Sequence, residues 1–575
     1  MTEHIKTLDE NTSRRDVGLW LILGIWFIIN MLQASLSGLM DDEALFWMYG
    51  EHLTWGFYEH PPMVAFLIKS GYSLLHNAAG VRILFVLTST LTVFLIARIS
   101  NTKNWLLFAA LLFSTLIANA GGFLAAPDGP LLLFTALFFL FYQRFLEKEN
   151  VAWALLLGLA MAGLIYSKYN GILVIIFTML SNFKLLTRKR FYLAIVTGVI
   201  LFLPHILWQF YYDFPTIRYH LVDRNIHEHD FLAYFGEYII GQLGIYGPLM
   251  AIFFFWMTFS FKTESPFDRS LKFTAIGILL FFLLYSFRGR IEPNWTLPAF
   301  IPMMVLTIRS LANRKRLLRI VYPLAAISIV LIFAFRIYII HDFLHLPRKL
   351  VNLTEFQREG EWADTIAKKA GDHPVLFLNS YQNASKYIYY TGRLAFDVCD
   401  YDNHATQFNY WNDLIRAFQG KTVMVVDNNF WRNMPGQQAL KFPSGDSLCY
   451  SFIHDFSSYS TIPVVVTTEP LRFQTGQELD LPVTLLNPED HTVRFDRNPD
   501  QPTFLVYSIH QGKKRIASEQ PGPEITSIEL PVTGYDTVLH IVTPETPGRY
   551  ELYVSLKTGW LPAGQNGKRL MMEIY

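Results

Sequence analysis

Long apolar runs separated by short polar connectors fill the first three fifths of the chain. They fall at Val17–Met40, Ala79–Ile96, Trp105–Gly121, Pro130–Phe145, Ala152–Tyr166, Ile172–Phe183, Phe191–Tyr211, Tyr238–Phe261, Phe273–Phe287, Trp295–Ile308 and Ile320–Ile340. A helix needs about 20 apolar residues to cross a bilayer, so this spacing predicts a polytopic α-helical membrane protein with about 11 spans, several of them short. After His341 the pattern changes. Helices over Glu355–Lys369, Tyr381–Thr391 and Tyr410–Phe418 alternate with strands over His373–Asn379, Leu394–Val398 and Thr422–Asp427, the pattern of a small α/β module. From about Phe442 the runs become short and rich in β-branched and aromatic residues. They lie at Tyr459–Thr468, Glu478–Leu486, Thr503–His510, Thr526–Val532, Thr537–Val542 and Arg549–Leu556, broken by Pro, Gly, Asn and Asp, which predicts a β-sandwich of immunoglobulin-like type. The expected division is therefore 1–345 membrane region, 346–435 α/β module and 436–575 β-sandwich.

Composition agrees with a membrane region joined to soluble parts: 52% of the 575 residues are hydrophobic and the net charge is +1, with a mean hydropathy of +0.25. With the N-terminus inside, the inner connectors carry about nineteen Lys and Arg. The outer short loops carry about six, namely Lys69, Lys168, Arg218, Arg224, Arg288 and Arg290. An odd span count then puts the C-terminal domains outside the membrane, in the extracytoplasmic or periplasmic space of a plasma (inner) membrane protein. The first apolar run lacks a small-residue cleavage pattern and reads as an uncleaved anchor. Two cysteines, Cys399 and Cys449, leave a disulfide and two free thiols equally open.

On this topology the polar residues with chemical potential share the outer face. Asp41, Asp42 and Glu43 follow directly on the first apolar run, where charges are costly unless water, a cation or a substrate meets them. Capping of a helix that begins near Glu43 accounts for one carboxylate and leaves the others to be explained. Glu59 adds an acid in the same aromatic loop. Asp128 lies between Pro127 and Pro130, at the start of the next span, where capping and function are balanced readings. Lys168 stands against the positive-inside trend, which favours anion binding over a snorkelling side chain. With Arg218, Arg224, Arg288 and Arg290 it supplies cations suited to phosphate. Acids beside cations at the mouth of an apolar bundle fit a lipid-linked phosphate substrate: the acids activate an acceptor and the cations stabilise the leaving group.

The motifs themselves resemble a known family. Asp42-Glu43-Ala44-Leu45-Phe46-Trp47 and Trp55-Gly56-Phe57-Tyr58-Glu59-His60-Pro61-Pro62 are similar to the first outer loop of polyprenyl-phosphate-dependent GT-C membrane glycosyltransferases, the superfamily of protein mannosyltransferases and lipid A aminoarabinose transferases. Pro127-Asp128-Gly129-Pro130, Ser167-Lys168-Tyr169, Pro204-His205 through Leu221, and Glu292-Pro293-Asn294-Trp295 follow in the family's order, and the likeness runs over roughly residues 15–430. The resemblance implies a GT-C fold and an inverting transfer of a sugar from a polyprenyl-phosphate donor to a glycolipid (such as lipid A) or protein acceptor, among membrane lipids and without nucleic acid. It implies Asp42 as the catalytic base supported by Glu43, and Asp128 as an orienting acid. Lys168, Arg218, Arg288, Arg290 and His60 become the donor-phosphate candidates. Members carry a carboxylate followed by a basic residue where this chain has Glu59-His60, so Glu59 with His220 leaves room for a divalent metal ion. Histidine at 60, where members have lysine, departs from the pattern. No other cofactor is expected. The competing readings are a polytopic lipid-linked sugar transporter or flippase with a glycan-binding outer domain, and a non-catalytic scaffold. The loop placement of the charges and the lack of an inverted repeat weigh against the transporter.

Overall fold

The computed structural model describes residues 2–221, 231–341, 343, 356, 359–401, 403, 405–428, 434–442, 447–468, 470–512 and 514–575. Arg224 lies outside these. The chain divides into two compact units, one of residues 1–217 and 229–358, the other of 218–228 and 359–575.

The first unit is helical. Among the described residues, five helices are long and apolar enough to cross a membrane: Val17–Leu36, Ala78–Ser100, Asp128–Glu147, Lys189–Tyr211 and Lys315–Ile340. At 1.5 Å rise per residue, the 20 residues of Val17–Leu36 reach about 30 Å, the thickness of the hydrocarbon layer. Of the other expected spans, Phe273–Phe287 falls mostly in the 20-residue helix Pro266–Tyr285 and the rest are shorter or broken, for reasons of local chemistry. Trp105–Gly121 is split into Trp105–Phe113 and Leu116–Gly121, because Thr115 between them takes an extended backbone. Tyr238–Phe261 is interrupted at Gly247, whose φ of 92° only glycine adopts easily, with Pro248 following. The run from Trp295 begins as a 3-10 helix, Pro293–Ala299, before the α-helix Phe300–Leu311. One large apolar core joins these helices, with Trp26, Phe108, Phe138, Phe139, Met303 and Met304 nearly or fully buried.

A buried cation ties the last long helix to the first. Arg336 donates to Asn30 Oδ1 at 3.0 Å and Asn119 Oδ1 at 3.1 Å, with further bonds to the Ile29 carbonyl and Gln33. Such a charge is tolerated at membrane depth only when its donors are met by the bundle.

The second unit is rich in strands. Its first sheet takes β1 (Val375–Leu378), β2 (Ala395–Val398), β3 (Val423–Asp427), β4 (Gln438–Lys441) and β5 (Ser447–Ile453) in the order β2-β1-β3-β5-β4. The first three are parallel and β5 and β4 pair antiparallel, so this sheet continues past residue 435. The strands that follow are β6 (Val464–Val466), β7 (Leu471–Phe473), β8 (Glu478–Leu485), β9 (Val493–Arg494), β10 (Thr503–Gln511), β11 (Lys514–Glu524), β12 (Glu529–Leu530), β13 (Tyr535–Val542), β14 (Gly548–Thr558) and β15 (Leu570–Ile574). They build a five-stranded sheet, β11-β10-β14-β15-β7, a three-stranded one, β13-β8-β6, and the pair β12-β9. Leu481, Val483, Leu539 and Ile541 of the smaller sheet share a core with Leu505, Ile509, Leu552 and Val554 of the larger, which is sandwich packing. Cys399 and Cys449 are both buried.

Candidate active site

The acidic helix Asp41–Glu51 begins one residue after Met40, which occupies the N-cap. Asp41 is therefore inside the helix, and it is Glu43 that reaches back to the Met40 N–H at 2.9 Å. Glu43 is fully buried and faces Arg82, also fully buried, with Arg82 Nε to Glu43 Oε1 at 2.7 Å. The Ala125 N–H also donates to Glu43 Oε1, at 2.8 Å. Arg82 spends its other N–H groups on the Ala34, Ser37 and Gly38 carbonyls and Ser37 Oγ. Both partners are thus saturated, as a buried ion pair must be. The pair joins the end of the first helix, the acidic helix and the segment before Asp128.

Asp42, one position earlier, is half-buried. Its carboxyl is pushed up to about 7, first by burial and then by Glu59, Asp41 and Glu43, with Lys168 pulling the other way. Glu59 and Lys168, remote in sequence, therefore lie within electrostatic reach of Asp42. Asp128 opens the helix Asp128–Glu147 with Pro127 at the N-cap. Its carboxylate takes up side chains rather than helix N–H groups: Lys168 Nζ at 2.8 Å on Oδ1 and Asn294 Nδ2 at 2.8 Å on Oδ2. Lys168 and Asp128 are only 13% and 12% exposed, so the lysine does not snorkel. Asn170, two residues on, donates to the Trp295 carbonyl at 2.7 Å and fastens the same turn to the 3-10 helix.

The loop between the acidic helix and Met63–Tyr72 carries Glu59 and His60, both half-buried. The Tyr49 and Phe57 rings stack at 4.1 Å, and the His60 ring meets the edge of Phe46. The backbone of the loop is held by His205, whose Nδ1 lies 2.6 Å from the Trp55 carbonyl, and by Thr216, whose hydroxyl donates to the Phe57 carbonyl at 3.0 Å.

Arg288 and Arg290 are exposed, and Arg290 makes long ion pairs with Glu237 at 3.5 Å and Glu292 at 3.7 Å. Arg218 and His220 sit on the short helix Pro215–Leu221 and belong to the second unit. Among the described residues no group of three or more His, Cys, Asp or Glu is gathered to hold a metal ion. Arg82 went unread in the sequence, and Asn294 and His205 stood there as motif residues without the partners they take here. An arginine inside an otherwise apolar helix was the available signal for Arg82.

Residues 59–208 match the family described as dolichyl-phosphate-mannose-protein mannosyltransferase. The lipid A galacturonosyltransferase RgtD of Rhizobium johnstonii is 23% identical over 310 residues, 51% of this chain and 64% of the relative. An uncharacterised protein of Aquifex aeolicus is 27% identical over 267 residues, 43% of this chain and 52% of that one. The chain thus spans from about half to just under two thirds of the curated relatives it matches. Among solved structures, ArnT from Cupriavidus metallidurans in the apo state superposes with a TM-score of 0.56 at 13% identity, covering 75% of this chain and 97% of ArnT. The same enzyme bound to undecaprenyl phosphate gives 0.56 at 12% identity, over 76% and 98%. The chain thus shares its fold with ArnT, and residues 59–208 carry the sequence pattern of the mannosyltransferase family.

Proposed function

We propose that the chain moves a sugar from a polyprenyl-phosphate donor to an acceptor on the extracytoplasmic side of the membrane, with inversion at the anomeric carbon. The observation that carries this reading is Asp42, a half-buried carboxyl raised to about 7 between Glu59 and Lys168. A base of that proton affinity is half-charged at neutral pH and well matched to take a proton from a hydroxyl as it attacks. In the proposed step the acceptor oxygen bonds to the anomeric carbon and its proton passes to Asp42. The bond from that carbon to the phosphate oxygen breaks, and its electron pair leaves on the polyprenyl phosphate. Lys168, which spends one N–H on Asp128, has two more to offer that phosphate. Asp128 orients Lys168, and Glu43, held on every side, positions Asp42 without entering the reaction. Arg218, Arg288, Arg290 and His60 remain candidates for the donor phosphate.

The relatives support this reading over a transporter, which is not favoured. The named acceptor of RgtD, lipid A, makes a glycolipid the first to test, with a protein side chain the second. The orientation, with the N-terminus cytoplasmic and the second unit extracytoplasmic, follows from the charge bias of the connectors. The test is a deletion strain complemented with wild-type or Asp42→Asn chain, its glycolipids read by mass spectrometry. Asp42→Asn should insert normally and leave the acceptor unmodified. Full modification by the variant would remove Asp42 from the chemistry.

A further inference from the structure

Gln209 stands at the centre of a polar network that the proposed reaction does not use. It is 5% exposed, His205 1% and Thr216 fully buried. The amide Nε2 lies 3.0 Å from the Tyr169 hydroxyl and 2.7 Å from Thr216 Oγ1. From there the hydrogen bonds run outward in two arms. Along the first, Tyr169 Oη meets His205 Nε2 at 2.7 Å, and His205 Nδ1 meets the Trp55 carbonyl. A carbonyl only accepts, so Nδ1 carries the proton and Nε2 of the neutral ring accepts from the tyrosine. Along the second, Thr216 donates to the Phe57 carbonyl. The two arms end two residues apart on one loop. Gly56 between them lies against the Trp208 indole, where a Cβ would come within 2.4 Å of Cε3, so no other residue fits without displacing the ring.

The same network touches the other half of the site. Tyr169 follows Lys168, which holds Asp128, and precedes Asn170, which holds the Trp295 carbonyl. Three successive residues of one turn thus take three distant partners.

We propose that Gln209, Tyr169, His205 and Thr216 form a two-armed clamp that fixes the loop of residues 52–62 and so sets how far Glu59 stands from Asp42. These are positioning residues, since none of them is placed on reacting atoms. The charges acting on Asp42 are Asp41 and Glu43 on its own helix, Glu59 on the clamped loop and Lys168 on the clamped turn. Arg82 is taken up by Glu43, and Asp128 by Lys168. Glu59 is the largest of the charge effects that raise Asp42. Slackening the loop therefore lets Asp42 lose its proton at lower pH.

The kinetic half of the test rests on the proposed glycosyl transfer; the exchange half does not. Hydrogen–deuterium exchange of the full-length chain in detergent is measured for the wild type, Tyr169→Phe, Thr216→Val and Thr216→Ser. The clamp predicts several-fold faster exchange in residues 52–62 for the first two variants, wild-type exchange in Thr216→Ser, and no change in the helix Lys189–Tyr211. It predicts in addition that the acid limb of the transfer rate moves to lower pH in Tyr169→Phe and Thr216→Val and returns in Thr216→Ser. Unchanged exchange in the loop, or an unmoved limb with a loosened loop, overturns the proposal. If the wild type transfers no sugar, the functional reading fails and the exchange data still decide the clamp. Should Tyr169→Phe fail to accumulate, Thr216→Val and Thr216→Ser decide the clamp by themselves.

Discussion

Glu43→Gln is the substitution that separates a positioning carboxylate from a reacting one. In the structure Glu43 is fully buried, faces the fully buried Arg82, and takes N–H groups from Met40 and Ala125. Replacing it by a neutral amide strands the guanidinium without a counter-charge, which costs about 3–5 kcal/mol for a buried pair. The reverse change, Arg82→Met, strands the carboxylate and costs a similar amount. It also orphans the Ala34, Ser37 and Gly38 carbonyls. Removing both charges, as Glu43→Gln with Arg82→Met, lifts the unpaired-charge penalty of Arg82→Met, while the amide oxygen still accepts from the Ala125 N–H. The Met40 N–H then loses its acceptor, at about 1–3 kcal/mol. The double variant should therefore melt above Arg82→Met and below the wild type. Thermal unfolding in detergent, followed by tryptophan fluorescence beside a sugar-transfer assay, reads both quantities. The expected result is a large loss of stability in each single variant, partial recovery from Arg82→Met in the double, and activity falling in step with folded protein. A Glu43→Gln chain that melts like the wild type yet transfers nothing would refute the reasoning and place Glu43 in the chemistry.

Two further outcomes follow from the same geometry. Lys168→Met removes the contact proposed for the donor phosphate, which as a charge-assisted bond is about 1.5–3 kcal/mol. It should lower kcat/KM for the lipid donor about 10- to 100-fold, and an unchanged value would clear Lys168 of that role. In the second unit, Asp397 is raised to about 7, mainly by burial, although the Ser380 N–H and the Thr406 hydroxyl bond to it. A carboxyl whose folded value lies above its unfolded one stabilises the fold fully below the unfolded value, and that contribution is lost as pH rises through about 7. The melting temperature of Asp397→Asn relative to wild type should therefore climb between about pH 4 and 7. A variant that loses ground over that window would contradict the assignment.

The change from apolar runs to short mixed ones was legible in the sequence because hydropathy and period change together near His341, whereas the compact units divide later, between residues 358 and 359. Asp42, Asp128 and Lys168 were legible because each is a charge at the end of an apolar run, where solvation makes it costly. Arg82 was not, because it lies inside such a run and its partner Glu43 is remote in sequence. The His205 network was hidden for a related reason: its bonds end on backbone carbonyls, which carry no residue identity. Spans such as Tyr238–Phe261 read as continuous because hydropathy averages over Gly247, whose backbone geometry breaks the helix. Strand β11 escaped notice because its charged and Pro-Gly sequence opposes the usual strand composition, and pairing along β10 overrides it.

The central claim is that Asp42 takes the proton under the influence of Glu59, and the pH dependence of sugar transfer in wild type and Glu59→Gln tests it most directly. The account predicts a wild-type rate that rises with pH to a midpoint near 7, as Asp42 ionises, and a midpoint moved to lower pH in the variant. A rate that is flat from pH 5 to 8, or a midpoint indifferent to Glu59, would contradict it.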